Sequence, residues 1–171
     1  METKLARLMC AMIEYEAGNP HRVHHFIKVH DFARTIGSME FIPREQLYVL
    51  EVAAIVHDIG IRAAFEKYGS SAGAYQEELG PPLAREMLGK IGFRKDAVER
   101  VCYLVAHHHT FDDIDDLDYQ ILVEADFLVN LHEEKMTPQQ IKAVRSRIFK
   151  TKTATQMLDL MYQPELEQTA E

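Results

Sequence analysis

Apolar residues recur along this chain at three- and four-residue spacing, and no segment sustains the strict alternation of a half-buried strand. The spacing predicts a first helix from Glu2 to about Ala17, ended by Gly18. Asn19-Pro20 reads as the N-cap and first residue of a second, which runs to about Ile36 and stops at Gly37. Pro43 opens a third, which continues through His57-Asp58 and breaks at Gly60. A looser stretch, Gly69-Ser70-Ser71-Ala72-Gly73, follows. Pro81-Pro82 starts a fourth helix ending near Gly89 to Gly92, and a fifth runs from about Lys95 into His107-His108-His109. The acidic loop Asp112-Asp113-Ile114-Asp115-Asp116 leads to a sixth, through Asp126 to about Glu133. Thr137-Pro138 caps a seventh, Thr153 to Met161 suggests an eighth, and Gln163 to Glu171 reads as frayed. There is no internal repeat and no linker that would split the chain. The expectation is an all-α bundle of about seven to eight helices.

Composition narrows the partners. The 171 residues suffice for one domain with a real core, at 47% hydrophobic and 27% charged. The net charge of −8 argues against a nucleic acid polymer, whose binding needs Lys and Arg to neutralise phosphates. It leaves room for a small phosphorylated molecule. Two cysteines, Cys10 and Cys102, make neither a disulfide framework nor a zinc knuckle; both sit among apolar residues and read as buried thiols of a reducing compartment. No run is long enough for a membrane span. The run Leu8 to Ile13, after Lys4 and Arg7 and before Glu14 and Glu16, is too short for a signal-peptide core. A cytoplasmic location with no membrane partner is expected. The amphipathic first and last helices can pack on the domain or on a second copy in a homo-oligomer.

Three polar intrusions into apolar stripes carry the chemistry. His25 heads the stripe Val29, Phe32, Ala33 and Ile36 at i+4, i+7, i+8 and i+11, so it faces the core. A core histidine bonded to a carbonyl is the plainer alternative. His57-Asp58 ends the apolar run Val52 to Val56 and precedes Gly60, which places a carboxylate inside, where it is expensive unless paired. A second His-Asp pair, His30-Asp31, is a decoy. Its members lie about 140° and 240° round the helix from His25, beside polar Lys28 and Arg34. Asp126 borders the stripe Ile121, Leu122, Ala125, Leu128 and Val129, either as a buried hydrogen-bond acceptor between helices or as a ligand. A divalent metal removes the cost of burying such groups together. Two imidazoles and two carboxylates suit Mn, Fe, Co, Ni or Zn better than Mg or Ca.

Together these segments resemble the HD-domain superfamily of metal-dependent phosphohydrolases, over about Pro20 to Glu133. His25-x-x-x-Val29-x-x-Phe32-Ala33 resembles the family's first histidine segment. Ala53-Ala54-Ile55-Val56-His57-Asp58-Ile59-Gly60 resembles its namesake motif, and Val123-Glu124-Ala125-Asp126-Phe127-Leu128 its closing aspartate segment. The resemblance implies a single HD domain over 1–171, with a core at about 20–133 and flanking helices at 2–17 and 137–162. It implies the ligands His25, His57, Asp58 and Asp126, and phosphate esters, often nucleotides, as substrates. Many relatives hold a second metal. Its His-His element is present here, with His107 favoured by the family pattern and His108 by helical phase, and His109 at the rim. The remaining histidine is missing: Gln76 stands at that position, with Glu77 and Glu78 beside it, so either a glutamate such as Glu77 substitutes or the second site is weak or absent.

The expected chemistry is hydrolysis of a nucleotide or other small phosphate ester. Asp58 or Asp126 would orient water while ligating, and His107 or His108 would protonate the leaving oxygen or bind a second metal. Arg22, Arg62 and Lys67 are candidates to hold the phosphate, Arg62 close enough to the motif to act in catalysis. The plainer role for each is a solvated surface charge. Two other classes compete. A di-iron HD-type oxygenase needs a complete second site, against which Gln76 argues. A non-catalytic nucleotide- or metal-binding module would keep the ligands without turnover.

Overall fold

The computed structural model describes residues 2–167, and every regular element among them is helical. The order is α1 (Glu2–Tyr15), α2 (Pro20–Met39), α3 (Arg44–Val56), α4 (Ile61–Tyr68), α5 (Gly73–Ile91), α6 (Lys95–Val105), α7 (Leu117–Glu133), α8 (Pro138–Ile148), α9 (Lys152–Met161) and α10 (Gln163–Glu167). Among the described residues no helix is long and apolar enough to cross a membrane.

The central helix is α3. Every residue from Val52 to Val56 is buried, so the C-terminal end of the helix carries no polar stripe and is covered on all sides. It packs against α1, α2, α6 and α7. A side chain placed at its C-terminal end therefore emerges in the interior, where His57 is fully buried. Helix α2 starts where the cap chemistry says it should: Asn19 Oδ1 accepts the Arg22 amide at 3.2 Å and Pro20 opens the first turn. Helix α7 lies against both α2 and α3. Its buried Glu124 accepts the Lys150 and Thr151 amides at 2.5 and 2.8 Å, so the α8–α9 turn is tied to α7.

Several expectations change. Helix α2 does not stop at Gly37 but runs to Met39. Gly37 is an in-helix contact point, since a Cβ there would lie 2.8 Å from Leu47 Cδ1. The stretch after Gly60 contains α4, closed by Gly69 in the left-handed conformation. Helix α5 begins at Gly73 and carries Pro81 and Pro82 in its interior rather than at its start. Pairing of α5 with α6 and α4 keeps the chain helical across the missing N–H groups. Cys10 is exposed, because it lies on the face of α1 opposite Leu8 and Met12, whereas Cys102 is buried. Of the C-terminal stretch expected to fray, Gln163–Glu167 forms a short helix and residues 168–171 lie outside the described residues.

Candidate metal centre

The end of α3 and the turn after it build the centre. His57 continues the helical backbone for one residue and Ile61 opens α4, so Asp58 sits in a four-residue turn. That turn is pressed against α5: a Cβ on Gly60 would lie 2.6 Å from the Gln76 carbonyl and 2.9 Å from the Gly80 nitrogen. Only glycine permits this approach. Tyr15 closes the other side by donating its hydroxyl to the Ile59 carbonyl at 3.1 Å.

Helices α2 and α7 bring the remaining donors. His25 Nε2 lies 3.3 Å from His57 Nε2, 3.4 Å from Asp58 Oδ2 and 3.2 Å from Asp126 Oδ1. His57 Nε2 lies 3.5 Å from Asp58 Oδ2 and 3.6 Å from Asp126 Oδ1. The four residues predicted as a donor set thus meet at one point.

Both imidazoles are held by their other nitrogen. His57 Nδ1 donates to the Ala54 carbonyl at 2.9 Å and His25 Nδ1 to Glu133 Oε2 at 2.9 Å. With those protons placed on Nδ1, each Nε2 presents a lone pair, and two lone pairs face each other beside two carboxylates. Such a cluster calls for positive charge at its centre, which a divalent metal would supply. Protons show the same demand. Burial opposes charging His25, but the Asp126 hydrogen bond and the Asp58 and Asp126 charges push its pKa up to about 9. Burial likewise opposes the charged form of His57, and the Asp58 charge raises it nonetheless. Burial would raise Asp58 and Asp126, yet the two histidines hold both carboxyls well below the usual range.

The cluster forms the floor of a cavity of about 510 Å³. Arg22 lines it, its Nη1 3.9 Å from Asp58 Oδ2. His108 Nε2 lies 3.6 Å from Asp58 Oδ1, and Asp58, His108 and His109 form a second group with donor atoms within 4.8 Å of one another. The Nε2 atoms of His108 and His109 and Oε1 of Gln76 are buried without a hydrogen-bond partner. Burial and the neighbouring His108 push His109 down to about 4.

Other predicted residues are not brought to this point. His107 turns its Nδ1 to the Tyr103 carbonyl at 2.7 Å and lays its ring on Tyr103, so His108 and His109 take the inward positions. Glu77 accepts the His109 amide at 3.0 Å and the Thr110 hydroxyl at 3.1 Å; it shapes the histidine turn instead of replacing the missing ligand. Arg62 lies over the Tyr15 ring at 4.9 Å with Glu16 at 3.8 Å. Lys67 pairs with Glu78 at 3.0 Å on the surface. The decoy His30 sits 3.3 Å from Glu51, away from the cluster.

Glu133 and Asn130 belong to the site although no motif marks them. Asn130 Nδ2 donates to Asp126 Oδ1 at 2.9 Å, and Glu133 also accepts from Lys28. Helical phase points to both, since they follow Asp126 on α7 at i+4 and i+7.

The family model described as the HD domain matches residues 22–150. No curated protein matches the chain. Among solved structures, the chain is similar to the crystal structure of a predicted HD superfamily hydrolase from an uncultured Thermotogales bacterium. The two are 25% identical over 98% of this chain and 87% of that one, with a TM-score of 0.65. Both findings support a metal-dependent hydrolase, and a family match over most of the chain, built round the His57-Asp58 turn, makes this protein a member of the HD domain family.

Proposed function

We propose that this protein is a metal-dependent phosphohydrolase acting on a small phosphate ester. The observation that carries the reading is the convergence of His25 Nε2, His57 Nε2, Asp58 Oδ2 and Asp126 Oδ1 beneath a cavity that also holds Arg22. A metal held by these four residues would lower the pKa of a water and polarise a phosphoryl oxygen. Asp58 and Asp126, which both line the cavity, would orient the attacking water. Arg22 binds the phosphate: its guanidinium has only Asp58, at 3.9 Å, as an ion-pair partner among the described residues, which leaves its donors for an anion. His25 and His57 are locked in one orientation by their Nδ1 hydrogen bonds, so the centre is preorganised.

A second cation is favoured by a separate observation. Asp58, His108 and His109 form an adjoining donor group, and the Nε2 atoms of both imidazoles have no hydrogen-bond partner among the described residues. Gln76, in place of the histidine many relatives carry, offers a neutral oxygen beside it. The second ion is therefore expected to bind more weakly than the first.

The experiment is a screen of phosphate monoesters and nucleotides with the protein loaded with Mn, Co, Ni or Mg. Hydrolysis that requires added metal and falls at least about 100-fold in Arg22→Ala is the expected result, given the weight of a charged clamp on a transferring phosphoryl group. Metal-independent turnover, or none with any ester, would remove the reading.

A further inference from the structure

We infer that the substrate is a polyhydroxylated monophosphate, such as a sugar or polyol phosphate, in preference to a nucleotide. This deepens the phosphohydrolase reading and rests on it. The cavity above the cluster is roomy, at about 510 Å³, so it takes an organic leaving group as well as a phosphate. Its wall chemistry is unusual for an organic ligand. Among the described residues that line it there is no Phe, Tyr or Trp, and Ile61 is the one large aliphatic side chain. The rings in the wall are the imidazoles of His21, His25 and His109; His25 is tied into the cluster and His109 lies against His108, which leaves only His21 at the rim to stack on a base. Pockets for flat apolar ligands are lined mainly by hydrophobic and aromatic side chains, and a nucleobase is normally held by stacking on a ring. The aromatic side chain beside the motif, Tyr15, belongs to a different pocket and has Arg62 across its face.

What the wall does offer is hydrogen bonding. Asn130 spends its amide nitrogen on Asp126 and keeps its carbonyl oxygen as an acceptor. The Ser71 hydroxyl has no hydrogen-bond partner among the described residues, and its backbone carbonyl is held by Gln76 Nε2 at 2.7 Å. His21 lies at the mouth with its side chain largely exposed, and Glu134 lines the cavity from the end of α7. Donors and acceptors spread round a cavity mouth match several hydroxyls, not one ring.

The charge distribution selects for one phosphate. Arg22 stands beside the metal centre. Glu133 is neutralised by Lys28 and His25, but no such partner answers Glu134 among the described residues. A second phosphate extending toward α7 would meet that carboxylate, so di- and triphosphates are disfavoured.

The test compares kcat/KM for glucose 6-phosphate, glycerol 3-phosphate, AMP, ATP and p-nitrophenyl phosphate, using the metal-loaded full chain. A hydroxylated monophosphate is expected to exceed AMP by at least about tenfold, because a site built for hydroxyls leaves polar groups unpaired with other ligands. In Glu134→Leu, the ratio of its kcat/KM to that of p-nitrophenyl phosphate is expected to fall about tenfold, the weight of a hydrogen bond to a charged group. Ser71→Ala should lower the same ratio. AMP or ATP matching or exceeding every sugar and polyol phosphate would overturn the inference and leave the phosphohydrolase reading standing. Inactivity on all five esters would overturn both.

Discussion

His25 shows how one side chain is set up as a candidate ligand. Its place on α2 turns it inward, and its Nδ1 is tied to Glu133, leaving Nε2 aimed at His57, Asp58 and Asp126. Glu133 thus acts through His25 as a positioning residue. Lys28 and His25 hold its own carboxyl below the usual range against the effect of burial. Glu133→Gln keeps an acceptor for Nδ1 but removes the charge that makes the imidazole a stronger base. Metal affinity measured by calorimetry is expected to fall about tenfold, the lower end of such outer-ligand effects, with unchanged helical content by circular dichroism. Unchanged affinity would mean that Glu133 only fills space. At this scale the sequence was informative where a polar residue interrupts an apolar stripe, as at His25, His57 and Asp126. It was uninformative for Arg62 and Lys67, which neighbour the motif in sequence but find Tyr15, Glu16 and Glu78 instead. Nothing local to a charged surface side chain says which way it will turn.

The elements show a different balance. Cap chemistry at Asn19-Pro20 and Thr137-Pro138 marks helix starts that the structure has, with a reciprocal capping box at Thr137 and Gln140. The start at Pro81 misleads because proline at the beginning and proline in the middle of a helix look alike locally; tertiary contact decides. Helix α4 was illegible for the related reason that eight residues carry little periodic signal. The contact that positions the His57-Asp58 turn is between backbones, Gly60 against Gln76 and Gly80, and is written only as glycines. Gly60→Ala should force this crossing apart. An overpacking cost of about 2 kcal/mol, or a melting temperature lower by about 5 °C, is expected in thermal unfolding. Because the displaced turn carries two donors, metal affinity should fall in the same variant. A variant as stable as wild type would show that α5 can yield without cost.

For the whole molecule, the bundle brings residues far apart in sequence to one point by surrounding α3 with four helices. His25 on α2, the pair at the end of α3 and Asp126 on α7 can converge only because α2 and α7 both pack on α3 and on each other. All-α architecture was readable from spacing. The contacts among helices were not, since amphipathic stripes say which face is inward and not which partner covers it. The central claim is that this convergence exists to hold a divalent ion, and elemental analysis of purified wild-type, Asp58→Ala and His30→Ala proteins tests it most directly. The account predicts at least one tightly held divalent transition metal per chain in wild type and in His30→Ala, and close to none in an Asp58→Ala variant of native helical content. Full occupancy in Asp58→Ala, or loss of metal in His30→Ala, would contradict it.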